Sequence, residues 1–138
     1  MKNLIIIKAL IAGFFSAITI GTLTLLTYKT EFGIFLITSF GSSMILLFGY
    51  PENDFSQPKN IFFGHLLASI VGIIFLNIIP LPIYLLIPLA VGFGAALMIL
   101  FDVVHPPAGA NPIIIIIGSV SLDYLITVSY THLRAHET

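Results

Sequence analysis

The chain consists of long apolar runs separated by short polar stretches. The runs cover residues 9–27, 33–50, 61–79, 81–101 and 113–128. A helix needs about 20 apolar residues to cross a bilayer, and most of the runs approach that length. A lone strand would leave its backbone groups without partners in lipid, so each run is predicted to be helical. The pattern therefore predicts an all-α membrane protein with four to five transmembrane segments, some of them broken or re-entrant.

The second run is interrupted by the small residues Gly41, Ser42 and Ser43, which follow Phe40. Small residues at this place are consistent with a tight packing face against a neighbouring helix. They are equally consistent with a helix break, after which Ser43 caps a new half-helix over residues 44–48. At the level of sequence both interpretations stay open.

A stiff polar stretch separates the fourth run from the fifth: His105-Pro106-Pro107-Ala108-Gly109-Ala110-Asn111-Pro112. Prolines inside a helix remove hydrogen bonds, so this stretch is predicted to interrupt the helix. The residue before a proline is displaced from the helical region, which places His105 just past a helix end. Asn111 followed by Pro112 predicts an N-cap and a first helical position. We therefore expect a helix, a break, and a new helix that starts at membrane depth.

The last apolar run opens with five consecutive isoleucines at residues 113–117. It is short for a complete crossing and contains Asp123, so we expect a half-helix or re-entrant segment with Asp123 at the interface. Residues 129–138 are polar, which indicates a frayed tail or residues foreign to the native chain. The predicted organisation is a transmembrane domain over residues 1–128, followed by this tail.

Composition supports a membrane location. The 138 residues are 58% hydrophobic and 8% charged, with a mean hydropathy of +1.12. A soluble domain of this size could not bury so much apolar surface. The net charge of -1 gives no basis for nucleic-acid binding, and the absence of cysteine excludes disulfides and thiolate metal sites. We expect an integral protein in contact with the lipid bilayer, in a bacterial cytoplasmic (inner) membrane.

The lysines give an expected orientation. With the N-terminus in the cytoplasm, Lys2, Lys8 and Lys59 fall on the cytoplasmic side, and Lys29 falls outside. This distribution obeys the positive-inside rule. On the same count, the stretch at His105 approaches the membrane from the cytoplasmic side.

The two interrupted regions have a similar pattern of glycine, small or capping residues, an apolar block and a second glycine. Paired broken segments are typical of internally repeated transporters, although two short apolar runs also resemble each other by chance. If the repeat is real, helix N-termini capped by Ser43 and Asn111 present free N–H groups to one point and bind an anion without Lys or Arg. The residues expected to contact the anion are Gly41, Ser42, Ser43, His105, Pro106, Pro107, Gly109, Ala110 and Asn111.

Asp102, His105 and His65 are the candidates for proton or ion coupling. His105 could donate to the anion or carry a proton with it, because an imidazole changes charge near neutral pH. It could equally cap carbonyls at the end of the fourth helix or pair with Asp102. His65 is better explained as an interfacial residue near Lys59. Asp102, near membrane depth, would instead suit a cation or proton pathway.

The sequence offers little for metal or covalent chemistry. His132 and His136 have the spacing of two metal ligands on a helix, but no third ligand lies nearby in the sequence, so no metal site is predicted. No nucleophile, base and orienting group can be assembled, so neither catalytic residues nor a cofactor is predicted. We do not expect the protein to be an enzyme.

Three motifs, in order along the chain, resemble the HPP family of integral membrane proteins, which is named for His-Pro-Pro. They are Ser39-Phe40-Gly41-Ser42-Ser43-Met44-Ile45-Leu46-Leu47-Phe48-Gly49-Tyr50-Pro51, then Gln57-Pro58-Lys59-Asn60 with Gly64-His65, then His105-Pro106-Pro107-Ala108-Gly109-Ala110. The resemblance covers about residues 7–128. It implies four membrane-spanning segments. It also implies a nitrite transporter, since members in cyanobacteria and chloroplasts are assigned to nitrite transport.

The chain departs from the family at two points. Members usually continue with another apolar helix where this chain turns polar at Ser129, which indicates a C-terminally truncated chain. The second departure is Ser42, which stands where alanine is more usual. Two functions follow as hypotheses. One is a transporter of a small inorganic anion, and the other is a non-transporting membrane subunit, anchor or ligand-sensing module. Small residues such as Gly92 and Gly94 would also allow a homo-oligomer.

Overall fold

The computed structural model describes residues 1–29 and 39–118, and all regular structure in these ranges is helical. The α-helices are α1 (Lys2–Lys29), α2 (Ser39–Met44), α3 (Pro58–Ile78), α4 (Ile83–Leu100) and α5 (Asn111–Ile117). A π-helix (Ile45–Gly49) continues α2, and two 3-10 helices (Asp54–Ser56 and Pro106–Ala110) precede α3 and α5. The predicted all-α class is confirmed.

Three of the described helices, α1, α3 and α4, are long and apolar enough to cross a membrane, and the chain is an integral membrane protein. They coincide with the first, third and fourth apolar runs of the sequence. Parts of the other two runs, residues 33–38 and 119–128, lie outside the described residues. The predictions for Asp123 and for the tail at residues 129–138 also lie there.

Helices α3 and α4 form an antiparallel hairpin with a four-residue connection, residues 79–82. Proline assists both starts: Pro58 is at the first position of α3, and Pro82 precedes α4 in an extended conformation. A proline at the start of a helix costs no hydrogen bond, because the first N–H groups have no acceptor within the helix. Val71 of α3 packs with Leu86 and Ala90 of α4 in a buried apolar cluster near this connection.

Helix α4 ends in a Schellman motif built around Asp102. The Val103 N–H donates to the Met98 carbonyl at 2.9 Å, and the Asp102 N–H donates to the Ile99 carbonyl at 3.2 Å. Asp102 has a φ of 54°, the left-handed conformation that this motif requires. Val103 and Met98 also pack together in the core, and the chain turns back toward α3.

The chain is interrupted after α4, as predicted, but the next helical segment runs from Pro106 to Ile117, so the predicted helix start at Asn111 is wrong. His105 is extended, with φ -133° and ψ 101°, and lies just outside this segment as predicted. Pro106 and Pro107 occupy the first turn, where no N–H is needed. Asn111 is itself helical, with φ -59° and ψ -44°, and its N–H donates to the Ala108 carbonyl. This 3-10 hydrogen bond satisfies the Ala108 carbonyl, to which Pro112 cannot donate because proline has no N–H.

Of the two interpretations left open for residues 41–43, the helix break is wrong, since the backbone stays helical through Ser43 and Met44. Ser43 does not cap a new helix: its Oγ lies 3.2 Å from the Ser39 carbonyl oxygen, four residues earlier in the same helix, and contacts side chains of other elements. The π-helix that follows leaves backbone carbonyls without helical partners. Ser56 Oγ lies 3.0 Å from the Leu46 carbonyl oxygen and 2.7 Å from the Tyr50 carbonyl oxygen, which also accept from the Tyr50 and Asn53 N–H groups.

Small residues on α3 allow the returning chain to pack against its backbone. Gly64, Ala68 and Gly72 are buried and lie four residues apart on one face. A methyl group added at Gly64 would be 2.9 Å from His105 Cβ, and one added at Gly72 would be 3.0 Å from Pro112 Cα. The segment from Val103 to α5 therefore follows α3 in close contact, from the start of α3 toward its end.

Helix α1 packs mainly against α2 and the π-helix. The rings of Phe15 and Phe48 stack at 5.8 Å, and Lys8 Nζ lies 4.8 Å above the Tyr50 ring. Tyr50 begins the polar loop that leads into Lys59, so Lys8 and Lys59 are at the same end of the molecule. Lys29 ends α1, about 42 Å from its start, at the opposite end. The relative placement predicted for these lysines is confirmed.

Candidate functional site

Six polar side chains from three parts of the chain meet between the helices, and we call them the polar cluster. They are Ser39 and Ser43 of α2, His65 and Ser69 of α3, and His105 and Asn111 of the returning segment. All are buried except Ser69, which is half-buried. Throughout the described residues, every buried side-chain nitrogen and oxygen has a hydrogen-bond partner.

Ser43 lies between the two imidazoles. Its Oγ is 2.7 Å from His105 Nε2 and 3.1 Å from His65 Nε2, and it is 3.2 Å from the Ser39 carbonyl. Residues four apart share a helix face, so α2 presents Ser39 and Ser43 to α3 together. The Phe40 ring packs edge-on against His65 at 4.9 Å, which restricts the orientation of that imidazole.

His105 connects the cluster to the loop before α3. It is 0% exposed, and its Nδ1 lies 2.7 Å from the Phe55 carbonyl oxygen. A carbonyl oxygen only accepts hydrogen bonds, so Nδ1 carries the hydrogen. The Nε2 of the neutral ring then accepts from the Ser43 hydroxyl. The geometry thus fixes the tautomer of His105.

Asn60 holds the loop in place beside His105. Its Nδ2 donates to the Asp54 carbonyl at 3.0 Å and to the Val104 carbonyl at 3.1 Å. One amide therefore joins the 3-10 turn before α3 to the backbone next to His105. The Phe55 carbonyl consequently stays directed at the imidazole.

Asn111 joins three elements at the inner end of the cluster. Its Nδ2 donates to Ser69 Oγ at 2.9 Å and to the His65 carbonyl at 3.2 Å. Its Oδ1 accepts from Ser39 Oγ at 2.7 Å. Asn111 was predicted to cap a helix, but its amide instead binds α2 and α3, because its backbone is already inside a helical segment.

The structure brings three of the predicted anion contacts together, namely Ser43, His105 and Asn111. Gly41 and Ser42 are exposed, and no side chain or other element of the described part approaches within 4 Å of the Gly41 Cβ position. The remaining predicted residues lie along the 3-10 helix, exposed or half-buried and without polar side chains: Pro106, Pro107, Gly109 and Ala110.

Neither histidine has the purely local role that the sequence also allowed. His65 was expected at the interface near Lys59, but it is buried, because Gly64 lets the returning chain cover it. His105 does not pair with Asp102. The left-handed turn directs Asp102 outward, where it is 95% exposed and forms an ion pair with Lys59 at 3.5 Å. Asp102 therefore lies outside the polar cluster.

Sequence reasoning did not select Ser39 and Ser69. A signal was available, since Ser39 and Ser43 are four residues apart, and His65 and Ser69 have the same spacing. Four-residue spacing places two polar side chains on one helix face. That the two faces meet depends on tertiary packing.

The cluster extends from the loop end of the molecule to mid-membrane depth. His65 lies about 10 Å and Ser69 about 16 Å along α3 from Pro58, in a helix about 30 Å long. The charged side chains of the described residues are all exposed. The cluster is therefore a neutral, donor-rich group within apolar surroundings, where polar groups are costly unless they are paired.

A groove with a volume of ≈ 620 Å³ lies beside the cluster, between α2 with its π-helix and α3. Two polar residues, His65 and Ser69, contribute to a lining that is otherwise apolar: Phe40, Leu47, Pro58, Ile61, Phe62 and Leu66. The groove therefore reaches the two residues that α3 contributes to the cluster.

Comparison with known proteins gives a family match over nearly the whole chain. Residues 2–135 match the family described as HPP, transmembrane region. Two transmembrane proteins of Dictyostelium discoideum are similar. One is 34% identical over 89 residues, which cover 60% of this chain and 30% of the relative, and the other is 33% identical over 110 residues, which cover 75% and 35%. The chain spans about a third of these curated relatives. No solved structure matches significantly.

Proposed function

Because the chain belongs to the HPP family of transmembrane proteins, we propose that it transports a small inorganic anion, with nitrite as the substrate that the family resemblance implies. The similar Dictyostelium proteins are named only as transmembrane proteins. The substrate therefore rests on the resemblance and on the chemistry of the polar cluster.

The observation that carries the proposal is a group of hydrogen-bond donors without a carboxylate at membrane depth. Hydroxyl, imidazole and amide groups can replace water around an anion, whereas a buried carboxylate would repel it. The three serines, two histidines and one asparagine of the cluster all offer such donors. Asp102, which would favour a cation, is at the surface with Lys59.

Anion binding in this proposal does not depend on helix N-termini at Ser43 and Asn111, since helical backbone continues through both residues. It would instead exchange places with internal partners of the cluster. Ser69 and His65 border the groove, and Asn111 donates to Ser69. An oxyanion that enters beside Ser69 accepts the hydrogen bonds now made within the protein.

A non-transporting subunit, anchor or ligand-sensing module is the second candidate. The complete internal pairing of the cluster favours it, because a closed network of this kind also fixes the packing of three helices. In that case the cluster would hold the fold or bind a ligand without moving it. The two functions differ in whether an anion crosses the membrane.

The test is nitrite uptake by vesicles that contain the purified full chain. We expect uptake above that of protein-free vesicles, and a reduction of about tenfold in Asn111→Leu, since losing a buried hydrogen-bonding group costs about 1–3 kcal/mol. Asn77→Leu is the matched control, because Asn77 is an exposed amide of α3 that donates to the Ile73 carbonyl at 2.8 Å.

Folding of both variants is checked by their melting temperatures in detergent. If Asn111→Leu does not fold, Ser69→Ala, which removes one acceptor at the groove, takes its place. Normal uptake by folded Asn111→Leu and Ser69→Ala would place the anion path elsewhere. Nitrite that binds the wild-type chain but never enters the vesicles would support the non-transporting module.

A further inference from the structure

We propose that Ser43 links His65 and His105 into a proton relay that leads from the inner part of the polar cluster to the loop that carries Phe55. This inference rests on the proposed anion transport and assigns its coupling ion. The geometric basis is that one hydroxyl oxygen contacts the Nε2 atoms of both imidazoles, at 3.1 and 2.7 Å.

The hydrogen bonds of the relay all run from donor to acceptor in the same direction, from His65 through Ser43 to His105. The Phe55 carbonyl requires a hydrogen on His105 Nδ1, so the Ser43 hydroxyl donates to His105 Nε2. The free lone pair of Ser43 then accepts from His65 Nε2–H. In this tautomer the Nδ1 of His65 has a lone pair, and Asn111 Nδ2 lies 3.1 Å from it. Because one of the two amide hydrogens goes to Ser69 Oγ, the other is shared between His65 Nδ1 and the His65 carbonyl oxygen. The Phe55 carbonyl therefore fixes the direction in which the hydrogen bonds of the relay donate.

Asn111 offers a partner to both protonation states of His65. Its Nδ2 and its Oδ1 lie 3.1 and 3.3 Å from the same nitrogen, His65 Nδ1. The Nδ2 donates to the neutral ring, and the Oδ1 accepts once that nitrogen is protonated. A proton can therefore arrive at this position without leaving a buried polar atom unsatisfied.

The transfer balances with water as the proton donor at one end and the proton acceptor at the other. A hydronium ion gives a proton to His65 Nδ1, His65 Nε2–H passes its hydrogen to Ser43 Oγ, and the Ser43 hydroxyl hydrogen moves to His105 Nε2. His105 then gives its Nδ1 hydrogen to water at the loop that carries Phe55, because the Phe55 carbonyl oxygen accepts a hydrogen bond but is too weak a base to keep a proton. One proton enters and one leaves, and the next proton follows once both rings have returned to their first tautomers.

The surroundings keep the relay neutral at rest. The charged side chains on the elements packed around it are all exposed: Lys8, Glu52, Asp54, Lys59 and Asp102. No carboxylate in the described residues hydrogen bonds either ring. An imidazolium here is therefore brief unless an anion is beside it, which couples proton movement to anion movement.

A structural test needs no substrate. In the full chain with His132→Gln and His136→Gln, the two cluster histidines are the two that remain. Solid-state nitrogen NMR of the histidine-labelled protein in bilayers at pH 7 should show one ring protonated at Nδ1 and one at Nε2. Two rings in the same tautomer, or two charged rings, would overturn the relay.

The functional test counts protons and nitrite ions entering vesicles together, with protein-free vesicles subtracted. The wild-type chain should move about one proton per nitrite, and Ser43→Ala should lower this ratio at least about fivefold. Ser43→Thr, which restores a hydroxyl, should recover the ratio. Thr22→Val, which removes an exposed hydroxyl of α1 that donates to the Ile18 carbonyl at 2.9 Å, is the control.

The outcomes separate the two proposals. Nitrite movement without protons in the wild-type chain, or an unchanged ratio in Ser43→Ala, overturns the relay and leaves anion transport in place. A wild-type chain that moves no nitrite contradicts the proposed function, and the NMR spectrum still decides whether the two tautomers are ordered as the relay requires.

Discussion

At the scale of single residues, Asp102 shows how backbone conformation changes the role that is assigned to a side chain. In the sequence it is a carboxylate next to an apolar run, which suggests an ion pathway. In the structure it is the left-handed residue that ends α4, and its carboxylate is exposed beside Lys59. Aspartate tolerates this conformation better than most residues, which gives it a structural reason to be there.

We expect Asp102→Gly to raise the stability of the protein by up to about 1 kcal/mol, because glycine has no steric cost at φ 54°. The lost ion pair is exposed and contributes about 0–1 kcal/mol. The measurement is the melting temperature in detergent, with Asp102→Val as the opposite case, since a β-branched residue is strained there. A lower melting temperature for Asp102→Gly than for Asp102→Val would contradict this assignment.

At the scale of elements, the small residues of α3 decide where the returning chain lies. Gly64, Ala68 and Gly72 follow one another at intervals of four residues on one face of α3. Because these residues are so small, the segment from Val103 to Ile116 packs directly against the backbone of α3. This close approach brings His105 and Asn111 to the level of His65. The polar cluster therefore depends on glycines that make no hydrogen bond through a side chain.

Gly64→Ala should destabilise the protein by about 1–3 kcal/mol, because its methyl group would be 2.9 Å from His105 Cβ and 3.0 Å from the Val103 carbonyl. Gly92→Ala on α4 is the matched control, since no side chain or other element of the described part lies within 4 Å of its added Cβ. Melting temperatures in detergent compare the two. Equal stability of Gly64→Ala and Gly92→Ala would show that the returning chain lies farther from α3.

At the scale of the whole molecule, the charges and the polar cluster share one end. Lys8, Lys59 and the loop that carries Phe55 are together, and Lys29 is at the far end of α1. The release end of the relay is on this lysine-bearing side. By the positive-inside rule, we expect that side to face the cytoplasm.

Cysteine labelling can test this arrangement directly, because the 138 residues contain no cysteine. In intact cells, a membrane-impermeant maleimide should label Lys29→Cys but not Lys8→Cys or Lys59→Cys. The latter two should react after the cells are opened, which also serves as the control for reactivity. Labelling of Lys8→Cys and Lys59→Cys from different sides would contradict the fold, and labelling of both in intact cells would reverse the orientation.

The sequence by itself determined the membrane class and the helices long enough to cross. These follow from the length and composition of the runs, because lipid accepts only backbone that pairs within itself. It also singled out Ser43, His105 and Asn111, since polar residues within apolar runs are rare and costly. Local chemistry was sufficient for each of these inferences.

Only the tertiary structure decided what those residues contact. The capping roles predicted for Ser43 and Asn111 were wrong because serine and asparagine can bond across to another helix as readily as they can cap their own, and local sequence does not distinguish these partners. The packing of the returning chain on Gly64 and Gly72 determines that Ser39 and Ser69 belong to the polar cluster and that Asp102 lies outside it. A hydrogen-bonded cluster that joins residues far apart in the chain depends on which helix faces meet, and that is a property of the packed molecule.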